Sequence, residues 1–283
     1  MPELPEVETI ARQLGKVLPG RIIRSAALTA PDLYRRGSAR IGGIRGARIV
    51  AVERFGKALL IRLRMPSGRR ERVLVVHLGM TGRFVLPDGS PLPRAQSRHR
   101  HGRIVFDDGQ ELWYVDPRRF GYIYVGDPEN LGDRLNIGPD PFQMRPRQFE
   151  GILVRRSAPI KNLLLNQKII AGMGNIYVDE ALFGARIHPT APGQMVASRA
   201  SDLLTVMRRV LRRAINHRGT TIRDYRTPDG ETGGFQLRLS VYGRAGEPCR
   251  RCQTPIERMV LGGRGTHFCP MCQPRSRRRT RSR

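Results

Sequence analysis

Four cysteines close to the C-terminus constrain the fold of this chain more than any other feature. Cys249 and Cys252 form one C-x2-C pair, and Cys269 and Cys272 form a second pair after sixteen intervening residues. Each pair can occupy a tight turn and present two thiolates to one tetrahedral ion. Four protein ligands leave no open coordination position, so we predict one structural Zn²⁺ that organises a hairpin and takes no part in catalysis.

The segment between the two cysteine pairs contains the run Gly262-Gly263-Arg264-Gly265. Flexible glycine backbone and one arginine could together cradle a phosphate group. A plain turn would use the same residues equally well. The residues alone therefore leave both interpretations open.

The charge of the chain indicates a polyanionic partner. Its 51 Lys and Arg against 24 Asp and Glu give a net charge of +27, and removing the six arginines of the last eleven residues still leaves +21. Solubility does not require such a surplus, so we expect the partner to be nucleic acid. No apolar stretch approaches the roughly 20 residues of a membrane span, and the acidic, proline-rich start is unlike a secretion signal. We therefore expect a cytoplasmic monomer that does not bind membranes.

Hydrophobic periodicity predicts one helix followed by a strand-rich region. Apolar residues recur at helical spacing from Pro5 until Pro19-Gly20 ends the pattern. Short runs rich in Val, Ile and Leu follow, separated by Gly, Pro and Asp, at residues 22–27, 49–52, 58–63, 73–77, 104–106, 112–115 and 122–125. This rhythm is typical of a β-sandwich or a β-barrel.

A stretch rich in Gly, Pro, Asp and Asn at residues 126–141 separates the strand-like region from a helix-like one. Beyond it, residues 160–168 and 176–186 are predicted as short helices joined by the turn IIAGMG, and 201–217 as a longer helix with four arginines off its apolar face. The predicted divisions are 1–130, a linker at 131–144, a helical domain at 145–245, a cysteine module at 246–273 and a basic tail at 274–283.

The segment AGMGNIYVDE offers a candidate phosphate site. Gly172 and Gly174 precede Asn175 just before a predicted helix. A glycine-rich turn at a helix N-terminus directs free backbone amides and the helix dipole toward an anion. Asn175 could also be an ordinary N-cap, so this segment indicates a DNA-backbone contact only in combination with the charge of the chain.

The N-terminal sequence MPELPEVE offers a candidate nucleophile. If Met1 is removed, Pro2 becomes a free secondary amine with carboxylates one and four residues away. An α-amino group titrates near about 8 against roughly 10.4 for lysine, so much more of it is free base at neutral pH. Such an amine can attack a sugar carbon and hold it as an iminium ion that has no N–H proton to lose, and which therefore favours elimination. The alternative is that the acidic residues only stabilise the first helical turn.

Six segments of this chain occur in the order in which one enzyme family has them. They are MPELPEVET, HLGMTGRF, VDPRRFG, AGMGNIYVDE, VYGRAGEPC and GRGTHFCPMCQ. Over residues 1 to 273 the chain thus resembles formamidopyrimidine-DNA glycosylase, the bacterial base-excision enzyme for oxidised purines. The resemblance implies an α+β multidomain fold with an N-terminal β-sandwich and leading helix, a helix-two-turn-helix domain and a C-terminal zinc finger. It also implies damaged double-stranded DNA as the partner, in the bacterial nucleoid.

The resemblance assigns chemical roles to individual residues. Pro2 would displace the damaged base and form a Schiff base, with Glu3 as the acid/base that assists sugar opening. Lys57 would transfer a proton in β-elimination, and Arg264 would bind phosphate and assist δ-elimination. Glu6 would be a structural partner. The implied enzyme is therefore both a glycosylase and a lyase for abasic sites.

The resemblance also implies a wedge and a set of DNA contacts. Met80 and Phe120 would hold the base stack open while Arg118 addresses the orphaned cytosine, because chemistry on a stacked base requires the nucleotide to leave the helix. Core packing is the alternative for Met80 and Phe120. The other implied contacts are His77, His99, Arg156, Lys161 and Asn175. A glycine-containing loop at 223–235 would close over the flipped base.

Two other interpretations remain open. An endonuclease VIII-like glycosylase for oxidised pyrimidines shares the proline nucleophile, although the PELPE start, the Met80 motif and DPRRFG favour the purine enzyme. A non-catalytic zinc-ribbon DNA-binding protein would need neither a free Pro2 nor Lys57. The arginine-rich tail departs from the family, and we expect it to be disordered and to raise salt-sensitive DNA affinity.

Overall fold

The computed structural model describes residues 1–68, 70–87, 97–129, 131–221 and 232–275. The chain divides into two units, one of Met1–Leu135 with Ala214–Gln236 and the other of Asn136–Arg213 with Leu237–Arg283. Most of the predicted loop at 223–235 and nearly all of the arginine-rich tail lie outside the described residues. No described helix has both the length and the apolar character needed to cross a bilayer. The domain boundaries proposed from the sequence stay predictions.

Helix α1 (Leu4–Val17) opens the first unit, as the apolar spacing predicts. Glu3 is its N-cap and forms a capping box with Glu6, which satisfies backbone N–H groups that a helix start leaves open. Pro5 lies in the first turn, where its missing N–H is not needed. The buried apolar residues of the helix are Leu4, Val7, Ile10, Ala11 and Leu14.

The described residues of the first unit also form two four-stranded antiparallel sheets, in the orders β2-β3-β4-β8 and β1-β6-β7-β5. The strands are β1 (Ile23–Leu28), β2 (Arg48–Phe55), β3 (Ala58–Arg64), β4 (Glu71–His77), β5 (Arg83–Val85), β6 (Arg100–Phe106), β7 (Glu111–Val115) and β8 (Tyr122–Gly126). Apolar side chains from α1 and from both sheets are buried in one hydrophobic cluster. The predicted β-sandwich with a leading helix is therefore confirmed.

Every strand predicted in this region forms, and the described residues of the region contain one further strand that was not predicted. That strand, β5, is three residues long and pairs only at the edge of its sheet. Three residues are too few to give an alternating pattern, so the sequence could not identify it. The predicted linker also contains a short helix, α2 (Leu131–Leu135), whose last residue is buried.

The second unit is helical before its C-terminal hairpin. Its helices are α3 (Pro146–Val154), α4 (Ile160–Leu165), α5 (Asn175–Gly184), α6 (Gly193–Val196) and α7 (Ala200–Asn216), the last of which runs on into the first unit. Helix α4 ends earlier than predicted because the side-chain oxygen of Asn166 accepts the Lys168 N–H at 3.0 Å. Helix α3 was missed, although its first residue, Pro146, is a helix-start signal.

Two of the four arginines off the apolar face of α7, Arg208 and Arg212, make contacts within the second unit, and Arg212 lies 5.4 Å from the centre of the Phe142 ring. Arg208 donates from Nε to the carbonyl oxygen of Pro141 at 2.8 Å. It also donates from Nη2 to the carbonyl oxygen of Met144. These bonds fix the segment before α3 to α7 within the second unit.

Candidate active site and nucleic-acid interface

The four cysteine thiols converge on one point, as the motif predicts. Cys252 Sγ lies 3.5 Å from the Sγ atoms of both Cys269 and Cys272, and Cys249 Sγ lies 3.9 Å from Cys272 Sγ. All four sulfurs lie within 4.8 Å of one another. A tetrahedral site with Zn–S bonds near 2.3 Å separates its sulfurs by about 3.8 Å. The residues present therefore fit one structural Zn²⁺.

The cysteine module packs against helix α5. Phe183 of α5 joins Cys249 and Cys269 in a buried apolar cluster. Arg251 lies over the Phe183 ring at 4.3 Å and donates to the Phe183 carbonyl oxygen at 3.1 Å. Glu180 of α5 accepts the backbone N–H groups of Ser240, Val241 and Tyr242, the segment that leads into the module. Sequence reasoning missed Glu180 because its partners lie about sixty positions away in the chain.

Strands β9 (Glu257–Leu261) and β10 (Arg264–Phe268) form the predicted hairpin of the module. Gly262 and Gly263 turn it with φ values of 57° and 72°, which other residues rarely adopt. A Cβ on Gly262 would lie 2.8 Å from the side-chain oxygen of Asn162 in α4. The glycines are thus needed for the turn, and the side chain of Arg264 is exposed beside it.

The prediction that Lys161 contacts DNA directly is wrong for this structure. The side chain of Lys161 has 0% exposure and forms an ion pair with Asp179 at 2.6 Å. Its ammonium also donates to the carbonyl oxygen of Gly265 in β10 at 3.0 Å, and Asp179 accepts the backbone N–H of His267 at 2.9 Å. A buried ammonium needs such partners because burial removes its water. Lys161 and Asp179 therefore hold β10 in place.

Asn175 is the first residue of α5, and Gly174 is the N-cap, so the interpretation of Asn175 as the N-cap is wrong. The Asn175 amide nitrogen donates to the same Gly265 carbonyl oxygen at 2.9 Å. The residue that follows the exposed Arg264 is thereby linked to the start of α5. Arg156 lies exposed in the loop after α3. Direct DNA contacts by Asn175, Arg156 and Arg264 stay predictions.

In the first unit, Glu6 fixes the residue that follows Pro2. Its Oε2 accepts the backbone N–H of Glu3 at 2.7 Å, and its Oε1 accepts the backbone N–H of Thr220 at 2.7 Å. Pro2, Glu3 and Glu6 are all buried. Gly219 has a φ of 80°, and a Cβ there would lie 2.6 Å from Glu6 Oε1. One carboxylate thus ties the N-terminus to residues 219–220.

Replacing Gly219 with alanine is expected to disturb this arrangement. Left-handed backbone strain and the clash with Glu6 should together lower the free energy of unfolding by about 2 to 4 kcal/mol and slow any chemistry at Pro2. Gly37→Ala is the matched control, because Gly37 has the same φ of 80° with nothing within 4 Å of its Cβ position. Chemical denaturation of both variants measures the difference. Equal destabilisation would contradict the role given to the Glu6 contact.

Lys57 and His77 lie side by side at one end of the first sheet. Lys57 is buried in the turn between β2 and β3, and the next residue, Ala58, pairs with His77 of β4. Burial, assisted by the positive charges of Lys57 and Arg35, lowers the pKa of His77 to about 4. Its Nδ1 accepts the Gly79 N–H at 3.1 Å, and its ring stacks on Tyr122 at 4.9 Å. His77 is therefore neutral at pH 7, with the proton on Nε2 available for donation.

A pH dependence follows from this depressed pKa of His77. As the pH falls below about 6.5, the unfolded chain binds the proton while the folded chain does not. The contribution of neutral His77 to the free energy of unfolding is fully present above about pH 6.5 and is lost as the pH falls to about 4. The stability of the wild type should therefore drop relative to that of His77→Gln by up to about 3 kcal/mol over this range. Denaturation at a series of pH values measures this. A constant difference between the two proteins would contradict the neutral state of His77.

The three predicted wedge residues form one exposed cluster. Met80 and Phe120 are 42% and 55% exposed, so the alternative of core packing is wrong for both. The Arg118 guanidinium lies 4.4 Å from the centre of the Phe120 ring. Arg118 Nη1 also contacts the Met80 sulfur at 3.6 Å. His99, which precedes β6, is half-buried.

Three family models match the chain in sequence order. The model described as formamidopyrimidine-DNA glycosylase N-terminal domain matches residues 1–123, and the H2TH domain model of the same enzyme matches residues 137–226. The model of a zinc finger found in FPG and IleRS matches residues 246–275. These matches confirm the predicted helix-two-turn-helix domain and zinc finger.

Similar proteins share this arrangement over nearly their whole length. A formamidopyrimidine-DNA glycosylase of Thermus thermophilus is 43% identical over 96% of this chain and 98% of that protein, and one of Deinococcus radiodurans is 40% identical over 97% and 98%. The crystal structure of the Thermus thermophilus MutM (Fpg) protein has a TM-score of 0.83 at 41% identity, covering 96% of this chain and 98% of that chain. A complex between Lactococcus lactis Fpg and abasic-site DNA has a TM-score of 0.84 at 35% identity, covering 96% and 99%. The chain therefore belongs to the formamidopyrimidine-DNA glycosylase family of DNA-repair enzymes.

Proposed function

We propose that the protein excises oxidised purines, 8-oxoguanine and formamidopyrimidines, from double-stranded DNA and nicks the strand at the resulting abasic site. The observation that carries the proposal is the fixation of the Pro2–Glu3 segment. Glu6 bonds the N–H of Glu3 and that of Thr220, so the residue beside the nucleophile has one defined position. Preorganisation of this kind is what a nucleophile needs to meet a sugar carbon at bonding distance.

In the proposed reaction, the free amine of Pro2 attacks C1′ of the damaged nucleotide. The bond from C1′ to the base breaks, and the base leaves with the electron pair and takes up the proton that the Pro2 nitrogen loses. The nitrogen lone pair then expels O4′, which takes a proton from Glu3, and the sugar opens as an iminium ion on Pro2. The iminium is the electron sink that makes the following eliminations possible.

Lys57 and Arg264 are proposed to assist the two eliminations. Loss of a proton from C2′ breaks the C3′–O bond and releases the 3′ phosphate, with Lys57 in the proton transfer. Loss of a proton from C4′ then breaks the C5′–O bond, and the Arg264 guanidinium stabilises the leaving phosphate by charge-assisted hydrogen bonds. The exposure of Arg264 at the end of the glycine turn supports this role.

The wedge and the positive charge are proposed to bring the lesion to Pro2. A damaged nucleotide must leave the base stack before its C1′ can be attacked, and the exposed Met80, Arg118 and Phe120 cluster is suited to fill the gap. The neutral His77 can donate its Nε2 proton to a backbone phosphate without depending on pH near neutrality. The charge of +27 supplies nonspecific, salt-dependent affinity for the duplex.

Cleavage of three labelled duplexes tests the substrate class. They carry 8-oxoguanine opposite cytosine, thymine glycol opposite adenine, or no lesion. We expect nicking of the first duplex with phosphate at both ends of a one-nucleotide gap, which is the product of β,δ-elimination. Faster cleavage of the thymine glycol duplex would instead favour an enzyme for oxidised pyrimidines. Binding without nicking, by protein whose N-terminus is Pro2, would leave only a DNA-binding role.

A further inference from the structure

Asp116 is a fully buried carboxylate between the two loops that present the wedge. Its Oδ1 accepts the hydroxyl of Thr81 at 2.6 Å, and Thr81 follows Met80 in the first loop. Its Oδ2 accepts the backbone N–H of Gly121 at 2.9 Å, and Gly121 follows Phe120 in the second. The Tyr114 hydroxyl donates to the same Oδ2 at 3.1 Å. One side chain of 0% exposure thus bonds both loops.

The backbone of Asp116 is bonded as firmly as its side chain. Its N–H donates to the carbonyl oxygen of His99 at 3.0 Å, and its own carbonyl oxygen accepts from Arg119 at 3.3 Å. The His101 imidazole contacts that oxygen at 3.0 Å. Arg119 has a φ of 51°, a strained value for a residue with a side chain that the surrounding bonds must hold. Asp116 is therefore tied to the segments that contain His99 and Arg118.

The two wedge loops also pack backbone against backbone. A Cβ on Gly79 would lie 2.5 Å from the Gly121 nitrogen, so only glycine permits this approach. Thr81 links the loops a second time, because its Oγ1 accepts the backbone N–H of Arg118 at 3.3 Å. The Asp116–Thr81 bond therefore lies at the junction of the loops rather than at their exposed ends.

We infer that Asp116 is the positioning residue of the wedge: through Thr81 and Gly121 it fixes Met80 relative to Arg118 and Phe120. This inference rests on the proposed function, in which those three residues enter the base stack. A carboxylate without water must keep its hydrogen bonds, which makes its geometry stiff. A stiff wedge enters the stack without first ordering two loops, so less free energy is lost on insertion.

Thr81→Val tests the inference because it removes the hydroxyl and keeps the shape of the side chain. Excision of 8-oxoguanine requires unstacking of a paired base, whereas nicking of a preformed abasic site does not. We expect the single-turnover rate constant for 8-oxoguanine to fall about 10-fold, from the loss of a hydrogen bond to a charged group, and that for the abasic site to stay within about twofold. Thr81→Ser, which keeps the hydroxyl, should restore the wild-type ratio of the two rate constants.

A second variant and a spectroscopic readout complete the test. Asp116→Asn should lower the same ratio, and the Thr81→Val effect should be smaller in its presence, since both changes act on the bond between Thr81 and Asp116. The fluorescence of 2-aminopurine placed beside the lesion rises as the base stack opens. The rate of this rise should fall together with the ratio of the two rate constants. Loss of folded protein affects both substrates alike and cancels in the ratio.

Equal slowing on both substrates, or no slowing, would overturn the inference. Failure of the wild-type protein to nick either duplex would instead contradict the proposed function.

Discussion

Replacing Pro2 with glycine is expected to slow nicking of 8-oxoguanine duplexes by at least about 100-fold, because the nucleophile and its iminium ion are both altered. Glycine leaves a primary amine, whose imine can lose its nitrogen proton and with it the positive charge that promotes elimination. It also removes the ring that fixes the backbone next to Glu3. Single-turnover gel assays measure the rate constant directly.

Pro19→Gly is the matched control for this prediction. It makes the same exchange at an exposed position just past the other end of α1, and the nicking rate should stay close to that of the wild type. Protein that retains Met1 should be inactive as well, since its proline nitrogen is then part of a peptide bond. Wild-type rates for Pro2→Gly or for protein with a retained Met1 would show that another group is the nucleophile.

Removal of the metal is expected to unfold the cysteine module. Structural Zn²⁺ contributes apparent binding free energies of about 10 to 16 kcal/mol that are largely folding free energy. Cys269→Ser takes away one ligand and a member of the cluster around Phe183. Release of the hairpin also frees β10 from its bonds to Lys161 and Asn175. We therefore expect loss of one bound zinc and at least about a 10-fold loss of DNA affinity, through loss of the proposed phosphate contact of Arg264.

Metal analysis and DNA titration of Cys269→Ser measure these two effects. Met271→Ser is the control, because Met271 lies between two cysteines in the sequence yet is 68% exposed. It should keep both the zinc and the affinity. A Cys269→Ser protein that bound DNA like the wild type would show that the hairpin acts independently of the metal.

The parts of the fold with local signals could be predicted from the sequence. The spacing of Cys249, Cys252, Cys269 and Cys272 specifies a tetrahedral site within one short segment. Helix α1 has its apolar spacing and its capping residues within a few positions of each other. Such signals need no knowledge of distant contacts, which is why the finger, α1 and the longer strands were all predicted.

The parts that depend on distant partners could not be predicted. The family resemblance implied a DNA contact for Lys161, but the partners of its ammonium lie 18 and 104 positions away in the sequence. Asp116 stands inside the VDPRRFG motif, yet the bond that gives it a role reaches Thr81, 35 positions earlier. A sequence shows that such a residue is charged, but it does not show which distant groups the charged side chain binds in the fold.

Reductive trapping is the most direct test of the central claim that the Pro2 amine is the nucleophile. The protein is incubated with a duplex that carries 8-oxoguanine opposite cytosine, borohydride is added, and the covalent complex is digested and sequenced by mass spectrometry. We expect a stable protein–DNA adduct whose modified peptide begins with Pro2. An adduct on Lys57 or another lysine, or no adduct from protein with a Pro2 N-terminus that nicks this duplex, would contradict it.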